Sequence, residues 1–261
     1  MNVLVLSPNN RGVGVTTVAH SLAIALKHKG EFVQLMDINP KRPSFMKKFL
    51  SIPSNKGKDT NGMDTLIQMI RTGTITSEDM ANCAVDLGVD TICVTPTTST
   101  ADVIDVAAVT RTCEIQGRVL YTIIDVNTSD ASSQLFKELL TKADVCVFVL
   151  DQSKASIDAI ADIKSANEAS LNSHGIHVAY VVNKFEECAL SLKDIWSHLN
   201  VKNTKSWFKV RYNRSIMQVN SKSLYKQYAD ALHESADPDI ANIKSDFDRV
   251  ANYLVATGHK R

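Results

Sequence analysis

The 261-residue chain is poor in several features that mark particular protein classes. Its five cysteines, Cys83, Cys93, Cys113, Cys146 and Cys188, are odd in number and contain no CxxC pair. That argues against a disulfide framework and a cysteine-built zinc site. Cys93 and Cys146 lie inside apolar runs, where a thiol acts as a small hydrophobe. No apolar run reaches ~18 residues, so no membrane-spanning helix is expected. The opening MNVLVLSPNN lacks a basic n-region, so no secretory leader is expected and a cytoplasmic location is. An excess of one charge sign is also missing, with 29 basic residues against 28 acidic ones and a net charge of +1. This excludes a globally basic DNA-packaging protein and an acidic tail, but not a local patch. No Gly-, Ser- or Pro-rich linker divides the chain and no internal repeat is visible, so a single domain over 1–261 is expected.

What the chain does have is a core. Hydrophobic residues make up 44% and charged residues 22%, the balance of a globular protein. A chain of this length buries about 70–75% of its unfolded surface without a metal or disulfide staple. Short β-branched runs recur at 3–6, 32–36, 91–94, 119–124, 145–150 and 178–182, with a weaker one at 207–210. Most are apolar on both faces, as central strands of a parallel sheet are. Helical patterns separate them at 62–71, 101–112, 131–141, 155–172 and 190–199, and Val18, Leu22, Ala23 and Leu26 share a face after the first run. The alternation predicts an α/β fold: a doubly wound, mostly parallel sheet of about seven strands with helices on both faces. A last helix over 239–256 gathers Ile240, Ile243, Phe247, Val250 and Leu254 on one side, and its mixed-charge opposite face predicts docking on the core rather than on a membrane. Residues 51–62 read as a polar, turn-rich insertion.

The segment Ser7-Pro8-Asn9-Asn10-Arg11-Gly12-Val13-Gly14-Val15-Thr16-Thr17 follows a buried strand and opens a helix. In that setting backbone N–H groups and the helix N-terminus can hold an anion, and closely spaced glycines let backbone approach a ligand. An ordinary strand-to-helix turn with a threonine cap has the same outline.

The chain resembles the MinD/ParA family of deviant Walker P-loop ATPases. Against the family loop K-G-G-x-G-K-[ST]-[ST] stand Asn10, Arg11, Gly12, Val13, Gly14, Val15, Thr16 and Thr17. Met36-Asp37-Ile38-Asn39-Pro40 is similar to the family's D-x-D-P, the run ending at Asp125 to its Walker B strand, and Val181-Val182-Asn183-Lys184 to the segment whose Asn reads adenine. The resemblance implies a P-loop NTPase fold, ATP or ADP with Mg²⁺ on the loop, and Thr16, Asp37 and Asp125 around the ion. The departures are as specific. The family's signature lysine is Asn10 here, its second glycine is Arg11, and its phosphate-contacting lysine is Val15. Removing one preorganised contact to a transferring phosphoryl group commonly costs about 3–4 kcal/mol in the transition state, so hydrolysis is expected to be weak or absent unless Arg11 substitutes. If the altered loop holds no nucleotide, the chain is an interaction scaffold without a cofactor. The G-V-G-x-T-T loop is most similar to the CpaE/TadZ branch, whose members localise pilus and secretion machines.

The neutral sum hides blocks of charge. Lys202, Lys205, Lys209, Arg211, Arg214, Lys222 and Lys226 occupy a span without an acidic residue, interleaved with Trp207, Phe208, Tyr212 and Tyr225. A second basic run spans 41–58, and acids gather after 230. Phosphate contacts by such cations give salt-sensitive, sequence-independent DNA affinity, and an acidic protein could use the same surface; Trp207 and Phe208 are expected in the core. His174-Gly175-Ile176-His177 has metal-like spacing but no cysteine or carboxylate partner nearby. Residues 95–100, TPTTST, could line a crevice at a strand end or form a capping loop. The expectation is a MinD/ParA-like positioning or partition protein that dimerises under nucleotide control and meets an adaptor or DNA through its basic surface. The alternatives are an active partition ATPase that uses Arg11 and a nucleotide-free scaffold.

Overall fold

The computed structural model describes residues 1–7, 12–37, 69, 72–73, 76, 79, 84–86, 88–93, 120–126, 134–187, 189–214, 225–234 and 237–258. The expected helices at 62–71 and 101–112, the insertion at 51–62, the basic run at 41–58 and the 95–100 segment lie outside these residues, apart from Met69 within the first helix.

Eight strands are formed by the described residues: β1 (Asn2–Leu6), β2 (Val33–Asp37), β3 (Val85–Asp86), β4 (Asp90–Cys93), β5 (Tyr121–Val126), β6 (Val145–Leu150), β7 (His177–Phe185) and β8 (Trp207–Arg211). They make one sheet in the order β3-β4-β2-β5-β1-β6-β7-β8. Every pairing is parallel except the two-residue β3 against β4, which caps one edge. That short strand, too brief to leave a hydrophobic run in the sequence, is the addition to the seven expected.

Six helices cover the sheet: α1 (Val15–His28), α2 (Gln134–Lys142), α3 (Lys154–Ser173), α4 (Leu192–His198), α5 (Tyr225–Glu234) and α6 (Pro238–Gly258). Strand alternation sorts the core into two layers. Val3, Val5, Val145, Val147, Val149, Ala179, Val181 and Val210 face α1, α5 and α6. Leu4, Leu6, Cys146, Phe148, Leu150, Tyr180 and Val182 face α2, α3 and α4. β1 is buried at all five positions because helices cover both of its faces. α6 buries Ile243, Phe247, Val250 and Leu254, as its periodicity predicts, against α1 and β8.

Beneath α2 to α4, the rings of Phe148, Tyr180 and Trp207 stack across three neighbouring strands, with centroids 5.7 and 4.1 Å apart. Burial pushes the Cys146 thiol and the Tyr180 phenol each up to about 12, since both ionise to a charge that this layer cannot solvate. On the other face α5 docks through Tyr228 and Leu232, and the Tyr228 hydroxyl lies 3.0 Å from that of Ser21 in α1. α4 begins with a capping box, in which the Ser191 hydroxyl accepts from the Asp194 N–H. Among the described residues no helix is long and apolar enough to cross a membrane.

Candidate functional site

The carboxyl ends of β1, β2, β5 and β7 bring four separate sequence segments together. β1 leads the chain toward β2 on one side through α1, while the chain leaving β5 crosses β1 to β6 on the other. The crevice above the central strands is therefore a topological switch point, where ligands of open parallel sheets bind.

The glycine loop lies over this crevice. Gly14 precedes α1 with φ 91° and ψ 32°, a left-handed conformation, and its carbonyl accepts from the Val18 N–H at 2.9 Å to begin the helix. The N-cap residue is a glycine, which offers no side-chain cap. Gly14 also needs its missing side chain for space, because a Cβ there would fall well inside contact distance of Asn183 Nδ2. The left-handed glycine thus lets the loop backbone close on the Asn183 side chain.

Asp37 ends β2 and Asp125 lies in β5, paired with each other in register and both buried. The Thr16 hydroxyl donates to Asp125 Oδ2 at 2.6 Å. One hydroxyl and two carboxylates, all oxygen donors, are the chemistry that Mg²⁺ takes. Thr17, next to Thr16, is buried. Val13 is buried, while Val15 is half-buried and packs on the α1 core cluster, so the position of the family's loop lysine serves packing here.

From β7, the Asn183 amide donates to the Val13 carbonyl at 2.7 Å, and the Lys184 ammonium donates to the Gly12 carbonyl. Two consecutive side chains thus hold two consecutive loop carbonyls. The strand deforms to do this. Lys184 has φ 54°, and between Val182 and Phe185 β7 advances three residues while β8 advances two. Beyond the bulge, Gln152 clamps the loop that leaves β7: its Nε2 donates to the carbonyls of Glu186 (2.9 Å) and Leu190 (2.6 Å), and its Oε1 accepts from the Glu186 N–H (2.8 Å).

Of the residues expected at the site, Gly12, Val13, Gly14, Val15, Thr16, Thr17, Asp37, Asp125 and Asn183 therefore converge on one crevice, whereas Asn10 and Arg11 lie outside the described residues. Lys184 and Gln152 were missed as site residues. The signal for Lys184 was a cation directly after the strand-end Asn; Gln152 left none.

The chain has the MinD/ParA fold. It is similar to MinD in the MinC:MinD cell division complex of Aquifex aeolicus, at 18% identity and a TM-score of 0.69, with 98% of this chain and 95% of that one covered. A ParA family ATPase from Chlorobium tepidum matches at 14% identity and a TM-score of 0.73, covering 97% and 98%. The septum site-determining protein MinD of Pyrococcus horikoshii, complexed with Mg-ADP, matches at 14% identity and 0.68, covering 97% and 96%. No protein-family model and no curated protein matches the chain.

The basic span is less open than its sequence suggests. Lys209 pairs with Glu187 at 2.6 Å and lies over the Phe185 ring, 4.9 Å from its centroid. Arg211 and Arg249 share the fully buried Asp246 carboxylate, at 3.2 and 2.5 Å. The expectation of seven unopposed cations is corrected for these two, because acids distant in sequence supply their counter-charges. Lys202 and Lys205 precede β8 and Arg214 follows it, so they lie toward opposite ends of this edge strand. All three are exposed. Lys226 falls within α5 and Lys222 lies outside the described residues. Trp207 is buried and Phe208 half-buried, as expected of core residues. His174 and His177 are exposed on either side of the α3–β7 turn, where the Ser173 hydroxyl lies 2.8 Å from His174 Nδ1.

Proposed function

We propose that the chain is a MinD/ParA-like positioning protein, a single nucleotide-binding domain over 1–261 that binds ATP or ADP with Mg²⁺ and turns it over slowly or not at all. The backbone amides around Gly12 to Thr17 cradle the phosphates, while Thr16, Asp37 and Asp125 hold the ion. Asn183 donates to the loop through Nδ2, which leaves Oδ1 as the atom to accept from a base. When Mg²⁺ is bound it neutralises phosphate charge. The Thr16 hydroxyl oxygen would ligate such an ion through a lone pair while its proton stays hydrogen-bonded to Asp125. Bound nucleotide shifts a monomer–homodimer equilibrium, and the dimer meets a cognate adaptor, with Lys202, Lys205 and Arg214 as the described exposed cations for an anionic partner such as DNA.

One observation carries this reading: the Thr16–Asp125 contact lies beside Asp37 while Val15, in the lysine position, packs half-buried against the core. The Mg-ADP complex of a protein with this fold supports the choice of ligand. The loss of even one of the two lysine contacts predicts turnover lowered by at least about a hundredfold to a thousandfold. Isothermal titration with ATP–Mg²⁺ beside a phosphate-release assay is the test. Saturable, Mg²⁺-dependent heat with minimal phosphate release is expected; no binding, or turnover at the rate of an intact P-loop ATPase, refutes the proposal.

A further inference from the structure

We propose that Lys184 is a positioning residue of the glycine loop: by holding the Gly12 carbonyl on the β7 side it turns the Val13 N–H to the opposite side, where a phosphate would meet it. This deepens the nucleotide reading above and rests on it.

A trans peptide points its N–H opposite to its C=O, and no peptide bond among the described residues is cis. Each carbonyl fixed in the loop therefore fixes the amide that follows. The Lys184 ammonium donates to the Gly12 carbonyl, which sets the Val13 N–H. The Asn183 amide donates to the Val13 carbonyl, which sets the Gly14 N–H. The Val18 N–H donates to the Gly14 carbonyl at 2.9 Å, which turns the Val15 N–H out of the start of α1. Backbone conformation agrees. Gly12 and Gly14 have φ 82° and 91°, while Val13 between them is not left-handed. Alternation of hand gathers successive N–H groups into one concavity, the nest that holds anions. Asn183 and the helix set two of these three amides, and the first depends on Lys184.

Consecutive residues of a regular strand point to opposite faces, so Asn183 and Lys184 would not both reach one loop. At Lys184 φ is 54°, and the β7–β8 register shifts between Val182 and Phe185, which brings both side chains to the same side. The ammonium stays on the carbonyl side of the loop and meets no phosphate. Its effect passes through the Val13 amide and does not grow with the number of phosphates.

The test records amide resonances of the full, isotope-labelled chain, and titrates it with Mg²⁺ and ADP or ATP, in wild type, Lys184→Met and Lys184→Arg. Before nucleotide is added, Lys184→Met should move the Gly12 carbonyl and Val13 amide resonances, with Val15 little changed. ADP and ATP should then bind more weakly by the same factor, about threefold to tenfold, and Lys184→Arg, which keeps a donor for the carbonyl, should restore most of it. A loss that is larger for ATP than for ADP overturns the proposal, since the ammonium would then meet phosphate itself. Unchanged affinity in Lys184→Met, or ADP that binds wild type without moving the Val13 amide, also overturns it. Wild-type protein that binds neither nucleotide overturns the nucleotide reading instead. Comparable melting temperatures establish that the variants are folded, and if Lys184→Met does not fold, Lys184→Gln carries the same comparison.

Discussion

Gly14→Ala is the sharpest perturbation of the loop, because two separate penalties meet at one methyl group. Gly14 has φ 91°, and forcing a residue with a side chain into the left-handed region costs about 1–2 kcal/mol. The new Cβ also displaces Asn183 Nδ2, which is buried and donates to Val13 O at 2.7 Å. Leaving a buried amide without its partner costs about 1–3 kcal/mol. Together the substitution should lower stability by about 2–5 kcal/mol. Asn183→Ala alone should cost about 1–3 kcal/mol, since it removes the hydrogen bond but leaves Gly14 unstrained. In the double variant the methyl no longer meets the amide, so only the backbone strain is added to the lost bond. The two effects should therefore fall short of additivity by about 1–3 kcal/mol, the range of coupling between touching residues. Urea unfolding of the four proteins, followed by circular dichroism, measures this cycle. A Gly14→Ala midpoint equal to wild type, or strictly additive losses, would refute the argument that these two groups share one space.

Other expectations follow from the same geometry. Thr16→Val removes the 2.6 Å donation to Asp125 and an oxygen ligand, so Mg²⁺-dependent nucleotide binding should fall at least about tenfold in calorimetry, with little change in metal-free binding. Asp246→Ala frees two guanidiniums that reach solvent from a carboxylate that does not; the melt should show a loss of about 1–3 kcal/mol, below the full value for a buried pair. Cys146 and Tyr180 have folded values near 12, above the ordinary 9.0 and 10.0, so they are neutral in both states below about pH 8 and their contribution is fully present there. As pH rises from 9 toward 12 the unfolded chain ionises first and stability falls; mass-mapped alkylation should find Cys146 protected until unfolding, and a rapid reaction at neutral pH would contradict its burial. If the basic span binds DNA, the log–log salt slope should be shallower than the about −6.3 that seven cations would give, because Lys209 and Arg211 are already paired. Anisotropy across a salt series decides this, and a flat response excludes phosphate contacts altogether.

The strands and the longer helices were legible because their side chains repeat with the period of the face they bury. Val3 to Leu6, Val145 to Leu150 and the Ile243-Phe247-Val250-Leu254 stripe signal their burial directly. α5 was not read as a helix. Its Tyr228, Ala229 and Leu232 are buried, but they lie where the basic span gives way to the acidic one, and charge dominated the reading there. The loop, Asp37, Asp125 and Asn183 were legible as a constellation because each stands at a strand end. Lys184 and Gln152 were not, since their roles arise from a bulge in β7 and from a clamp between residues 34 and 38 positions apart, and neither leaves a period or a motif. The partners of Lys209 and Arg211 were hidden for the same reason: Glu187 and Asp246 lie 22 and 35 residues away.

These differences explain how a phosphate loop can lose two lysines and keep its shape. The loop is held by donors that attack its carbonyls from β7, by a glycine that only an amide-sized neighbour can face, and by a hydroxyl tied to Asp125. None of these contacts uses the side chain at position 10 or 15. The shape that binds is thus separable from the charges that stabilise a transferring phosphoryl group. On the proposed function, loss of the lysines would act mainly on the transition state, where charge builds, and less on a ground state in which backbone amides meet the phosphates. Binding can then persist as a switch on association while turnover fades. If the proposed function holds, such a protein would stay in its nucleotide-bound form until exchange, not hydrolysis, releases it. The lifetime of the bound state should therefore follow free nucleotide concentration in a pulse–chase displacement experiment, and a lifetime set by phosphate release would contradict this separation.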